Sequence, residues 1–66
     1  MAMVSSLSAY FLYIHDDRYG TPTLEVVTAD DDEAVHVVAR ERLVGSVHHL
    51  LVEIWAEDDR HVGRVG

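Results

Sequence analysis

The sequence predicts an α+β protein, in which four strands and one helix follow the order β-β-α-β-β and form an antiparallel sheet of order 2-1-3-4 with the helix on one face. Three observations predict this fold. Apolar residues alternate or run continuously, as in strands, before residue 30 and after residue 47. Between these segments, Val35, Val38, Ala39 and Leu43 follow helical spacing. The two periods meet at residues 29–34, where alanines flank a run of acidic residues.

The first two predicted strands form a hairpin. Strand one, Ser8–His15, contains bulky apolar and aromatic residues in succession, which is typical of a well-buried strand. Residues 16–22 follow with aspartates, a glycine and a proline, all of which favour turns. Strand two, Thr23–Ala29, then runs back antiparallel. Its alternation places Leu24, Val26 and Thr28 on one face and Glu25, Val27 and Ala29 on the other.

The predicted helix begins in the acidic segment and extends to about Val44. Asp30 or Asp31 is expected to cap the free amide groups of the first turn, and Asp30 with Glu33 has the spacing of a capping box. Gly45 follows the helix, so we expect it to end the helix in a left-handed conformation.

The last two predicted strands form a second hairpin, with a turn at residues 58–60. Strand three covers Val47–Glu57, and strand four covers His61–Val65. In strand three, Leu50, Val52 and Ile54 form the expected core face, whereas His49, Leu51 and Trp55 point to the opposite side.

Strand one is apolar on both sides, whereas a single helix covers only one face of the sheet. We therefore predict that the uncovered face is a protein interface, because exposed apolar patches that contain Trp and Tyr usually mark one. The predicted interface residues are Phe11, Tyr13, Val27, Leu51 and Trp55. Strand one contributes either Phe11 and Tyr13 or the opposite set of Tyr10, Leu12 and Ile14. In the alternative interpretation, Glu25 and Glu53 keep this face solvated.

The length and composition favour a single self-associating domain over residues 1–66, with about residues 1–7 as a flexible N-terminus. The core of so short a chain rarely supplies more than about 3–5 kcal/mol of net stability. The chain contains no cysteine, so a disulfide or a thiolate zinc site cannot stabilise it. A homo-oligomer, with a dimer favoured, is the remaining ordinary solution.

The charge and hydropathy argue against nucleic acid and membranes as partners. The net charge is −7, with 12 acidic residues against 5 basic ones, which argues against direct binding to nucleic acid. No apolar run approaches the roughly 18 residues that a membrane-spanning helix requires. No signal peptide is evident at the N-terminus. These features predict a soluble, cytoplasmic protein without a membrane partner.

No metal site, cofactor site or catalytic site is expected. Counting from Asp30, Glu41 occupies the last ligand position of a calcium loop, but Val35 stands where that loop needs glycine. His48 and His49 are adjacent on a strand and would point to opposite faces. Across an oligomer, however, His49 or His61 could still meet a symmetry mate and form a metal or pH-responsive site. The one local acid–base cluster, His15-Asp16-Asp17, lies in a predicted exposed turn, so we expect no enzyme activity.

The aromatic first strand, the segment Ala29–Ala34 and the closing segments Val52–Trp55 and Asp59–Val65 resemble a loose group of small uncharacterised bacterial β-β-α-β-β proteins. The resemblance covers most of residues 8–65 and implies the fold, but the group has no activity to transfer to these positions.

The leading functional hypothesis is a noncatalytic, homo-oligomeric interaction module. The alternative is a small acidic inhibitor or nucleic-acid mimic, related to phage or defence, that binds a basic protein. A ligand-binding or catalytic oligomer with its site at the subunit junction is the third possibility.

Overall fold

The computed structural model describes residues 7–66, so the predicted flexibility of the first residues lies outside the described part except at Leu7. The elements are β1 Ser8–Asp16, β2 Thr23–Ala29, α1 Asp32–Val44, β3 His49–Ala56 and β4 His61–Val65. The sheet has the order β2-β1-β3-β4, and every neighbouring pair is antiparallel, which confirms the predicted α+β fold. Within residues 7–66, no helix has both the length and the apolar character that crossing a membrane requires.

The core lies between α1 and one face of the sheet. Val35 and Ala39 are one helical turn apart and are completely shielded from solvent. The buried apolar residues are Tyr10, Leu12, Ile14, Ala29, Val35, Ala39, Val52, Ile54 and Ala56. Of the two possible sets on β1, the tyrosine, leucine and isoleucine therefore face the helix, and Phe11 and Tyr13 face away from it.

Asp31 caps the start of α1, as one of the two predicted alternatives. Its side-chain carboxylate accepts a hydrogen bond from the Ala34 amide at 2.8 Å, an interaction typically worth about 1 kcal/mol. The predicted capping box of Asp30 and Glu33 is wrong. A capping box needs a glutamate or glutamine three residues after the cap residue. Because Asp31 is the cap, that position is Ala34, whose side chain has no hydrogen-bond acceptor.

The end of α1 at Val44 agrees with the prediction, but the left-handed conformation predicted for Gly45 is wrong. Gly45 is right-handed, with φ −71° and ψ −13°. The Arg42 carbonyl accepts hydrogen bonds from the Gly45 amide at 3.2 Å and from His49 Nδ1 at 2.6 Å. Because β3 supplies this side-chain donor, the terminal carbonyl is satisfied without a left-handed residue.

The predicted core position of Leu50 is also wrong, since this side chain is 57% exposed. The pairing between β1 and β3 is irregular at His15 and Asp16, where Asp16 pairs with His49 while His15 pairs with Leu51. The irregularity turns His49 toward the end of the helix, although it was predicted to point to the opposite side of the sheet. It also leaves Leu50 unpaired with β1 and outside the core.

The placement of Val27 on the uncovered face is wrong as well. Val27 pairs with the buried Tyr10 and packs against the core beneath the helix. Glu25 lies on the same side of β2 and accepts hydrogen bonds from Arg42 Nε and Nη2 at 2.8–3.0 Å. Because the helix supplies a guanidinium, this carboxylate can lie on the covered side, and the more exposed apolar side chains of β2 face the opposite way.

Candidate interaction surface

The side of the sheet opposite α1 is the candidate functional surface, which we call the open face. Directly opposed residues of an antiparallel pair share a face. Phe11 pairs with both Val26 and Trp55, and Tyr13 pairs with both Leu24 and Glu53. The open face thus contains Phe11, Tyr13, His15, Leu24, Val26, Leu51, Glu53, Trp55, His61 and Arg64.

The centre of the open face is an apolar hollow of about 610 Å³. Its lining residues are Phe11, Tyr13, Pro22, Leu24, Glu53, Trp55 and Asp59. On its β2 side, Leu24 is 53% exposed, and the neighbouring Val26 is 60% exposed. Large apolar side chains with this exposure, contiguous with aromatic rings, are typical of a surface that another molecule covers.

A few polar groups interrupt the apolar surface. His15 Nε2 lies 2.9 Å from Glu53 Oε1, which holds the carboxylate beside the hollow. The ring of His61 meets Trp55 edge-on, with centroids 4.8 Å apart and an interplanar angle of 63°. Arg64 is exposed and lies opposite Glu53 in the β3–β4 register. Arg64 offsets only one of the two carboxylates beside the hollow, Glu53 and Asp59, so this face carries about −1 of the chain's net charge of −7.

The structure brings together Phe11, Tyr13, Leu51 and Trp55 of the predicted interface, and it separates Val27 from them. Sequence reasoning placed Glu53 on this face in the alternative interpretation, but it did not include the exposed apolar side chains of β2 or Arg64 in this surface. The alternation of β2 did group Leu24 with Val26, but it could not say which group faces the helix.

Asp16 forms a second cluster at one end of the sheet. It accepts hydrogen bonds from the Arg18 amide at 2.8 Å, from Arg18 Nε at 3.0 Å and from Arg18 Nη2 at 2.7 Å. The hydrogen bonds from the Arg18 side chain hold the pKa of Asp16 well below its usual range. Such a carboxylate is a weak base at neutral pH, so this geometry favours a structural role.

The predicted exposure of Asp16 is wrong, because β1 continues through this residue and buries its side chain beside His49. The neighbouring Asp17 remains exposed, and its Oδ1 lies 2.9 Å from His48 Nδ1. His48 thus contacts Asp17, and His49 contacts Asp16, at the same end of the sheet. Among residues 7–66, no group of three or more His, Cys, Asp or Glu side chains is arranged to hold a metal ion.

Asp32 links the opposite end of the molecule. It accepts hydrogen bonds from the Tyr10 hydroxyl at 2.9 Å and from Arg60 Nη1 and Nη2 at 2.9 and 3.2 Å. The hydrogen bonds from Arg60, and then that from Tyr10, lower the pKa of Asp32. Burial, and then the hydrogen bond to Asp32, raises the pKa of Tyr10. These contacts join the start of α1 to β1 and to the β3–β4 turn.

Comparisons with protein-family models, with curated proteins and with solved structures found no match.

Proposed function

We propose that the protein is a noncatalytic homodimeric interaction module, in which a second copy of the chain covers the open face. The observation that carries the proposal is the cluster of Phe11, Trp55, Tyr13 and Leu24 around an open hollow, on the face that α1 does not cover. Removal of such apolar surface from water is the main favourable term in protein association.

The charge distribution supports a second copy as the occupant. Two molecules with a net charge of −7 repel each other, but the open face carries only about −1 of that charge, from Glu53 and Asp59 against Arg64. The acidic segments 30–33 and 57–59 lie in or beside the turns at the ends of the strands. A face-to-face dimer can therefore form with most carboxylates at its periphery, where solvent screens them.

The available area supports a dimer of modest affinity. The sheet has four strands, and β2 has seven residues. At ~4.8 Å between strands and ~3.4 Å per residue, the face has a projected area of roughly 450 Å². Side-chain relief increases this area toward the about 800 Å² per partner of an interface of standard size. We expect a dissociation constant on the order of micromolar.

Sedimentation equilibrium over a concentration series tests the proposal. The native chain should dimerise, and Trp55→Glu should raise the dissociation constant by at least ~30-fold because it buries a charge at the centre of the interface. The matched control is Val37→Glu, which adds the same charge at a half-exposed position of the helix. A native chain that stays monomeric at high micromolar concentration would contradict the proposal, as would equal effects of the two variants.

A second candidate function is binding to a basic protein through the acidic end of the molecule. The Asp32–Arg60 ion pair joins the start of α1 to the β3–β4 turn, so acidic residues 30–33 and 57–59 lie at the same end. Association with a cationic partner should weaken as salt is added.

For either function, the lack of cysteine supports a reducing, cytoplasmic location.

A further inference from the structure

The arginines differ in their partners. Arg18, Arg42 and Arg60 form ion pairs with carboxylates of their own chain. In the described part of the chain, Arg40 and Arg64 form no ion pair, and both are exposed. Arg64 belongs to the open face, whereas Arg40 lies on α1. The open face therefore presents a guanidinium that has no carboxylate partner among residues 7–66 of its own chain.

The hollow of the open face contains the groups that bind a guanidinium. Its walls include the rings of Tyr13 and Trp55 and the carboxylates of Glu53 and Asp59. Arginine stacks on aromatic faces and pairs with carboxylates through its planar fork. His15 fixes the carboxylate of Glu53 through their 2.9 Å contact.

The strand register shows how one copy could supply this guanidinium to another. Leu24, Tyr13, Glu53 and Arg64 form one row across β2, β1, β3 and β4. A two-fold axis parallel to the strands, between β1 and β3, places β4 of one copy over β2 of the other and preserves this row. Arg64 of the second copy then lies over Leu24, with Tyr13 ~5 Å and Glu53 ~10 Å further along the row.

We propose that Arg64 is the self-recognition residue of the dimer, with the guanidinium of each copy entering the aromatic and acidic hollow of the other. This inference rests on the proposed face-to-face dimer. Two-fold symmetry makes the contact twice, which favours a second copy over a partner that lacks such an arginine.

The test compares Arg64→Gln with Arg40→Gln, because each removes one exposed positive charge and keeps a long polar side chain. Sedimentation equilibrium should show a dissociation constant raised ~10-fold or more by Arg64→Gln, for two lost contacts, and unchanged by Arg40→Gln. Added salt screens the net repulsion of both dimers, but it screens the Arg64 contact only in the native one, so the advantage of the native dimer over the Arg64→Gln dimer should shrink as salt is added. Circular dichroism checks that both variants are folded.

The outcomes separate this inference from the proposed function. A native dimer that Trp55→Glu disrupts and Arg64→Gln leaves intact would overturn the role of Arg64 alone. Equal weakening by Arg64→Gln and Arg40→Gln would also overturn it, since the effect would then be one of net charge. A native chain that is monomeric would overturn both proposals.

Discussion

At the scale of single residues, the ion pairs show how an acidic chain places carboxylates against its core. Asp16 and Glu25 both lie on the helix side of the sheet, and each is bonded to an arginine of its own chain. Hydrogen bonds from those arginines lower the pKa of both carboxyl groups. A buried or half-buried carboxylate destabilises the fold unless it is paired. Arg18 and Arg42 therefore stabilise the folded state by pairing with these two carboxylates.

The pKa of Asp16 predicts how stability depends on pH. Because its pKa is lower in the folded state than the ~4 of an unfolded chain, its ionised form stabilises the fold above that pH. This contribution is lost as the pH falls below ~4 toward the folded pKa. The urea midpoint of the native chain should therefore exceed that of Asp16→Asn clearly at pH 7, and the difference should shrink progressively below pH 4.

The control for this experiment is Glu57→Gln, which removes an exposed carboxylate with no ion pair among residues 7–66. Its urea midpoint should follow that of the native chain closely at every pH. A difference between the native chain and Asp16→Asn that stays constant from pH 7 to pH 3 would contradict the assigned role of Asp16.

Residue patterns alone could not assign Val27 and Glu25 to a side of the sheet. β2 is apolar on both sides, and a glutamate normally indicates the solvated one. The deciding group is Arg42, 17 positions along the chain, whose contact with Glu25 depends on the packing of the helix. Such a partner is visible only once the fold is known.

At the scale of elements, the packing of α1 on β4 depends on a glycine. His36 Nδ1 donates a hydrogen bond to the Asp32 carbonyl at 2.8 Å, which fixes the imidazole ring over β4. A Cβ atom built on Gly63 would lie 2.9 Å from His36 Nε2. Gly63 also has a φ of +158°, a value that other residues seldom adopt. The helix can approach β4 this closely because residue 63 has no side chain.

Gly63→Ala should therefore destabilise the protein by roughly 1–3 kcal/mol, the usual cost of overpacking. In a His36→Ala background the same substitution should cost less, because the ring that the new methyl group meets is gone. Gly20→Ala is the matched control, since nothing lies within 4 Å of a Cβ atom at Gly20. Urea denaturation of the four variants measures the coupling, and additive effects of the two substitutions would contradict the predicted contact.

Most of the element plan was predictable because it depends on local signals. The change of period at residues 29–34 located the start of the helix, and turn residues separated the strands of both hairpins. The irregular pairing at Asp16 and the satisfied helix end at Gly45 were not predictable. Both depend on His49, whose contact with the helix arises from the three-dimensional arrangement of β3 against α1.

At the scale of the whole molecule, the one helix and four strands of residues 7–66 leave the open face uncovered by any of these elements. The two-sided apolarity of β1 predicted such a face. The sequence placed Leu51 and Trp55 on it, and it gave Phe11 and Tyr13 as one of two alternative sets from β1. The alternation of apolar and polar residues does not identify the molecule that covers the face. Its identity depends on where the charges lie and on how the strands are paired. The low net charge of the face and the exposed Arg64 support a second copy of the chain.

The most direct test of this account is acrylamide quenching of Trp55, the single tryptophan, as a function of protein concentration. Because the ring lines the hollow on the open face, dimerisation should shield it from the quencher. We predict that the quenching constant of the native chain falls as protein concentration rises, with its midpoint at the dissociation constant measured by sedimentation. In Arg64→Gln, the same fall should occur only at ~10-fold higher concentration or above. A quenching constant that is independent of concentration while the native chain dimerises would contradict the account.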